Sequence, residues 1–394
     1  MARDATRAID ALGLLTVIAY GSWFYGFGVL VEDISADLGV GIGVLGAVYG
    51  LTTLVGGAVA VVVGRVLDRQ GPRYILSVLG PAAASLYAAS AFVDIAFLYC
   101  FTFALAGGLI SASGFYSFTQ PVVMSVRPDD TVRAVTRLTI WGAFASPIMI
   151  PLTEVMRDAW GWRGAVRATA LALLVCFSLA AMVVRAAPRV RSTENAPFFT
   201  VLREAASSPF VRMYAAAAFM SSAAISTLLV FQVPVMRWAG LSAGAAASFA
   251  GARGLLQLFG RLPLVPVIEK VGAWRLQFAC RAAMLAGAAS LWASGVGWFA
   301  VLYVVIVGTS TGALAAIDGI VAREVLAKEN FATVLSVVGL VGTVGGALGP
   351  VSVGLLVQTT GSLGVVPLLV MCAAVASSIV HVRAGRLRAP STDA

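Results

Sequence analysis

Charge is scarce in this sequence. Only 11% of its 394 residues are Asp, Glu, Lys or Arg, against about a quarter in a soluble domain. Histidine occurs once, at His381, which excludes a histidine-based metal or catalytic cluster. The four cysteines, Cys100, Cys176, Cys280 and Cys372, lie in or beside apolar runs without metal-ligand spacing and read as small buried hydrophobes. No cofactor is expected. Sizeable hydrophilic sequence is confined to about Ala186 to Arg212, so no soluble domain of ordinary size can be housed. A receptor with a soluble sensory domain is thereby excluded. An intramembrane protease would need a Ser–His pair or paired aspartates at depth, and neither is present, so the chain does not read as an enzyme.

Apolar sequence fills the rest: 60% of the residues are hydrophobic and the mean hydropathy is +0.93. Continuous apolar runs of about 20 residues without alternation are membrane-crossing helices, not barrel strands. They fall near 9–31, 41–63, 74–93, 96–120, 136–156, 164–185, 213–235, 241–263, 274–294, 298–320, 331–357 and 364–382. The expected fold is all-α and integral to the lipid bilayer, with twelve transmembrane helices in two pseudo-symmetric six-helix bundles. The first bundle spans 1–185, a cytoplasmic central loop 186–212, and the second bundle with a short cytoplasmic tail 213–394.

The net charge of +9 does not indicate nucleic acid, because the cations alternate with the loops. Arg3 and Arg7 precede the first span. Arg65, Arg69 and Arg73 follow the second, and Arg127, Arg133 and Arg137 the fourth. Lys270, Arg275 and Arg281 follow the eighth, while Glu32 to Val40 and Gly295 to Gly297 contain no Lys or Arg. Basic loops face the cytoplasm, so both termini are expected there, with a retained first span in the inner or plasma membrane.

Between the second and third spans stands Gly64-Arg65-Val66-Leu67-Asp68-Arg69-Gln70-Gly71-Pro72-Arg73. Gly71-Pro72 reverses the chain and the charges are expected to hold the loop in water. The order G-x-x-x-D-R-x-G-x-R resembles the corresponding loop of the major facilitator superfamily of secondary transporters, with Leu67 where a small residue is usual. Tyr25-Gly26-Phe27-Gly28-Val29-Leu30, Gly161-Trp162-Arg163 and Gly345-Gly346-Ala347-Leu348-Gly349-Pro350 extend the resemblance along the whole chain. It implies a gating motif of Gly64, Asp68, Arg69, Gly71 and Arg73. In that motif Asp68 accepts N–H groups near Phe331 to Thr333 and holds the outward-facing state. Asp68-Arg69-Gln70-Gly71 recurs 201 residues later as Glu269-Lys270-Val271-Gly272, and Gly161 has a counterpart in Gly361. Two parallel six-span repeats are how such carriers are built. Glycines inside spans, including Gly345, Gly346 and Gly349, read as packing positions with a hinge role for some.

A charge at membrane depth requires a reason. On an ideal helix Arg261, eight residues before Glu269, lies about 12 Å inside the membrane surface. Arg253 stands two turns further out on much the same face, so both are expected at a central cavity. Neither can lose its proton, and the planar fork suits a carboxylate. Arg261 resembles the substrate-binding arginine of the monocarboxylate and oxalate–formate carriers. Their acid one turn earlier is Gln257 here, and their lysine has no counterpart, Tyr25 or Gly26 occupying its first-span place. The competing reading is that these arginines tie helices together through backbone carbonyls. Asp318, near Arg323, reads as an ion partner for Arg261, a proton acceptor, or a loop ion pair; Glu154 is a weaker acid of the same kind. Tyr20, Trp23, Tyr25, Phe115, Tyr116, Trp141, Phe231 and Gln232 are candidates to wall the cavity, with Tyr25 and Trp23 as substrate contacts.

The expectation is a carrier of a small organic anion, resembling the monocarboxylate group, working by alternating access, with protons as possible co-substrates. Proton symport, exchange and facilitated diffusion stay open, and the superfamily's habit implies a monomer. The alternative is a drug-type efflux antiporter. Such antiporters show G-P-x-x-G-G in the fifth span, where this chain reads Ala145-Ser146-Pro147-Ile148-Met149-Ile150.

Overall fold

The computed structural model describes residues 2–184, 197–326 and 330–387, and among them every regular element is helical. Among the described residues, eight helical stretches are long and apolar enough to cross a membrane. One of these, Pro128–Val183, is folded in two at Gly161, whose φ of 67° is open to glycine but strained for other residues. The third, eighth and ninth predicted spans correspond to shorter or more polar helices, Gly80–Ser90, Ala243–Arg261 with Leu264–Val271, and Ala273–Trp292. Each of the twelve apolar runs is thus helical. Large apolar side chains are exposed and several charged ones are buried. Phe97 and Met182 are 80% and 78% exposed, whereas Arg281 is 2% exposed. Such a surface is stable against lipid.

The described residues fall into two compact units, one within Met1–Asn195 with Ala327–Ser336, the other within Ala196–Leu326 with Val337–Ala394. Positions paired by the internal repeat share a backbone form: Gly71 and Gly272 have φ of 77° and 85°, Gly161 and Gly361 67° and 68°.

Several spans depart from regular helix. The first runs Ala2–Ala19, passes through a π-helical turn at Tyr20–Tyr25, and continues as Gly26–Leu38. The third opens on a π-helical turn at Ile75–Leu79. The fourth is interrupted at Phe115, extended at φ −89° and ψ 177° between Ala96–Gly114 and Tyr116–Val126. The eighth breaks at Leu262-Pro263, as proline dictates. The ideal-helix depth and angle reasoned for Arg261 from Glu269 therefore do not carry across that break.

The segment expected as a central loop contains regular structure. Phe198–Ser207 is a helix, and Arg212 sits in the first turn of the next, Pro209–Trp238. Residues 185–196, like Lys328 and the tail from 388, lie outside the described residues.

In the first unit, Arg137 clasps Asp10 through Nε and Nη2 at 2.7 and 2.8 Å, and Trp141 Nε1 donates to the same carboxylate at 2.9 Å. Arg163 Nη2 donates to Asp37 and Asp94 at 2.9 and 2.8 Å, and its Nη1 donates to the Ala91 and Val93 carbonyls. In the second unit, glycine sets helix separation. A Cβ on Gly312 would stand 2.0 Å from the Gln257 oxygen, and one on Gly260 2.0 Å from that of Thr309. Gly308 and Gly312 make a small-xxx-small stripe against the eighth span. Gly345 and Gly349 likewise meet the Phe219 and Ala223 carbonyls of the seventh. The eleventh span is continuous from Phe331 to Thr360 through Gly345, Gly346 and Pro350, so at Gly345 and Gly349 packing is the role observed.

Gly260→Leu is expected to cost about 1–3 kcal/mol by overpacking. It should lower the detergent melting temperature, read by fluorescence size-exclusion after heating. Gly254→Ala, whose Cβ meets nothing within 4 Å, should leave it unchanged.

Candidate functional site

Polar groups inside apolar helices stay there only when their neighbours satisfy them, and in the second unit two such groups of residues form. Arg253, 9% exposed, donates from Nε to Gln232 Oε1 at 3.1 Å, and the Tyr303 hydroxyl donates to the same oxygen at 3.0 Å. Gln232 Nε2 is turned to the Leu229 carbonyl at 3.0 Å, one turn back on its own helix. A glutamine supplies this site because it accepts at one end and donates at the other.

Arg261, 4% exposed, is the last residue before the break at Leu262-Pro263. Its Nε donates to the Gly312 carbonyl at 3.1 Å and its Nη2 to Gln257 Oε1 at 3.4 Å. The first bond exists because Gly312 has no side chain to hold the eighth and tenth spans apart. It is the carbonyl contact that the helix-tying reading describes. Arg253 and Arg261 are thus both buried in the second unit, held by neutral acceptors, and Gln257 is brought onto Arg261.

The second group surrounds Asp318. Arg281 Nη2 lies 3.4 Å from Asp318 Oδ1, and Gln277 Nε2 donates to that oxygen at 2.6 Å. The Tyr214 hydroxyl contacts the Asp318 carbonyl at 3.4 Å and receives Gln277 Nε2 at 3.2 Å. Arg281 Nη1 is 3.3 Å from His381 Nδ1, and the Trp274 ring stacks on that imidazole at 4.0 Å. One sequence reading changes here: Arg281 is not a loop cation but is buried eight residues into the ninth span. His381 is fully buried beside it. The ion partner of Asp318 is Arg281 rather than Arg261 or Arg323. Sequence reasoning missed Gln277, Tyr214 and Arg281 because a basic residue near a span end looks like a topology signal. An arginine two helical turns inside an apolar run was the available clue.

Among the aromatics, Trp23 is fully buried, stacked on Tyr49 at 4.7 Å and set into the space left by Gly107. It is a packing residue and cannot touch a substrate in this conformation. Tyr25 is half-buried and edge-on to Phe24 at 5.1 Å. Tyr20 stacks on Phe115 at 3.8 Å. Glu154 is exposed on its helix, and Asp33 pairs with Arg157 at 3.7 Å.

The sequence places Gly64 to Gln70 in a loop, but these residues form the end of the helix Ile42–Gln70, and in the first unit that helix end meets the opening turn of the eleventh span. Asp68 accepts the backbone N–H groups of Ala332 and Thr333 at 3.0 and 2.8 Å and the Thr333 hydroxyl at 2.6 Å. The carboxylate caps N–H groups that helix geometry leaves without partners, where the helix dipole favours negative charge. Gly64 makes the approach possible, since its Cβ would stand 2.6 Å from the Ala332 oxygen. Arg65 is not solvated as expected: it is 7% exposed and donates to Asn330 Oδ1. Arg69 and Arg73 are exposed, and Gly71 makes the turn.

The sequence matches the model of the family described as Major Facilitator Superfamily over residues 12–350. No curated protein is similar to it in sequence. The fold is similar to that of a bacterial homologue of the iron transporter ferroportin in its outward-facing state, at 16% identity and a TM-score of 0.76, over 97% of this chain and 99% of that one. The proton:xylose symporter XylE follows at 14% identity and 0.74, over 94% of each chain. The E. coli fucose:proton symporter FucP gives 13% and 0.71, over 96% and 97%. Likeness at such identity is likeness of fold.

Asp318→Asn leaves the buried Arg281 without its counter-charge and should destabilise the protein by about 1–3 kcal/mol, below the range for fully buried pairs because the carboxylate is half exposed. The double variant Asp318→Asn with Arg281→Met should recover most of the loss in thermal melts. Equal melting of wild type and Asp318→Asn would show that the pair contributes nothing.

Proposed function

Since the chain belongs to the Major Facilitator Superfamily and is therefore a multi-pass membrane transporter rather than an enzyme, we propose that it carries a small organic anion of the monocarboxylate kind. The observation that carries this reading is the pair of buried guanidinium groups on the eighth span, Arg253 and Arg261, each permanently charged. Gln232 and the Gly312 carbonyl fix their orientation through Nε. The planar guanidinium fork is the geometry that recognises a carboxylate, and Nη2 of Arg261 reaches Gln257 Oε1 at 3.4 Å. Gln257, on Arg261, adds a neutral amide to the same site. Tyr25 stays a proposed substrate contact; Trp23, fully buried, is withdrawn from that role.

Fold likeness adds no substrate. The similar structures are named for sugars and for iron transport, and one fold hosts many cargoes. The drug-antiporter alternative gains no observation of its own.

The clasp of Asp68 on the eleventh span is assigned to gating, with Gly64 and Gly71 shaping it and Arg69 and Arg73 beside it. Three hydrogen bonds to one carboxylate bias an access equilibrium only if they form in one state and not the other. Transport coupled to protons would use Asp318, which is exposed while its partners are buried, ahead of Glu154. The alternation of basic loops supports cytoplasmic termini and a plasma or inner membrane location.

In proteoliposomes loaded with carboxylates, Arg261→Ala should lower counterflow at least about 100-fold, the loss of a charged bidentate contact. Arg261→Lys should recover only part, as a lysine keeps charge without the fork. Normal anion flux through a well-folded Arg261→Ala would remove that residue from the site. Asp68→Asn should reduce turnover with substrate binding retained, measured as net flux against equilibrium binding.

A further inference from the structure

Within the second unit the seventh and eleventh spans touch along one stretch and part along the next. The eleventh span carries a stripe spaced by four residues, Val337, Val341, Gly345 and Gly349. At its glycines the helix rests on the Phe219 and Ala223 carbonyls of the seventh. At its valines a cavity of about 450 Å³ opens between the two helices, a volume in the range of ligand sites. The seventh span lines it from Val211 to Met220, and Ala205 and Ala206 of the helix Phe198–Ser207 close the third side. Phe219 both lines the cavity and meets Gly345, so the wedge ends where glycine packing begins.

Arg212 is the one charged residue among the described residues lining this wedge. It stands in the first turn of the seventh span, which contains no acid, is exposed, and makes no ion pair among the described residues. A cation there opposes the positive end of the helix dipole, whereas an anion suits both. The helix Phe198–Ser207 is amphipathic: Val201 and Ala205 are 3% and 6% exposed, while Arg203 and Glu204 are exposed. A helix of that kind lies in the headgroup plane, which sets Arg212 at headgroup depth. From Arg212 to Met220 is eight residues, about 12 Å along the axis, close to the roughly 15 Å of hydrocarbon in one leaflet.

We infer that this wedge holds an acyl chain of an anionic phospholipid whose phosphate pairs with Arg212. A small carboxylate leaves the apolar depth unfilled, and an uncharged apolar molecule leaves the guanidinium unmet. An amphiphile with a negative head answers both, and basic pockets between spans are where such headgroups bind. A zwitterionic headgroup brings its own cation to the phosphate and gains less. The site is independent of the transported substrate, so its failure leaves the anion reading untouched.

The test is native mass spectrometry of the full-length protein in mild detergent, with phosphatidylglycerol and phosphatidylcholine of identical chains. Phosphatidylglycerol should be retained about fivefold better, the scale of one arginine at a membrane surface. Arg212→Gln should bring that ratio to about one. Ala216→Phe, which fills the wedge, should lower retention of both lipids, and Ala206→Trp does the same from the exposed helix if the first variant fails to elute monodisperse. Equal retention of the two lipids by the wild type, or a preference unchanged in Arg212→Gln, would overturn the site. Displacement of phosphatidylglycerol by glycerol phosphate at equal concentration would show that the headgroup binds without the wedge. Displacement by palmitate at equal concentration would show a fatty-acid site; either result overturns the phospholipid assignment.

Discussion

A guanidinium within the apolar part of a bilayer has to be met by acceptors, because water is absent and the proton cannot leave. That constraint governs the second unit. Arg253 fixes Gln232 of the seventh span, Arg261 fixes Gly312 of the tenth, and Arg281 of the ninth joins Asp318 of the tenth and His381 of the twelfth. Each cation thus determines where a neighbouring helix stands and in which register. The hydrophobic effect cannot do this between helices, since lipid is as apolar as a leucine side chain.

Glycine makes those polar bonds reachable. Gly308 and Gly312 let the eighth and tenth spans approach until a side chain of one meets a backbone carbonyl of the other. In the first unit Gly64 does the same for Asp68 and the first turn of the eleventh span. Small residues and buried charges therefore form one device: the first sets the distance, the second the register. A substitution at either position is felt at the other.

Irregular backbone is the third component. The π-helical turn of the first span, the extended Phe115 and the break after Arg261 all sit beside residues with functional assignments. Trp23 is turned into the core while Phe24 is turned out, although the two are adjacent and both aromatic.

The number and order of apolar runs were legible in the sequence, because hydrophobic length is set by membrane thickness and needs no knowledge of neighbours. The motif around Asp68 and the duplicated glycines were legible too, since turn chemistry is local. Partners were not. Nothing along the chain joins Arg253 to Gln232 and Tyr303, or moves Arg281 and Arg65 from a loop into the interior. Depth counted on an ideal helix failed at Pro263. The sequence by itself determined which segments enter the membrane, because transfer from water to lipid is a sum over residues. Only the tertiary structure decided which charges meet which acceptors, because that depends on helix separation and rotation, which distant glycines and backbone breaks set together.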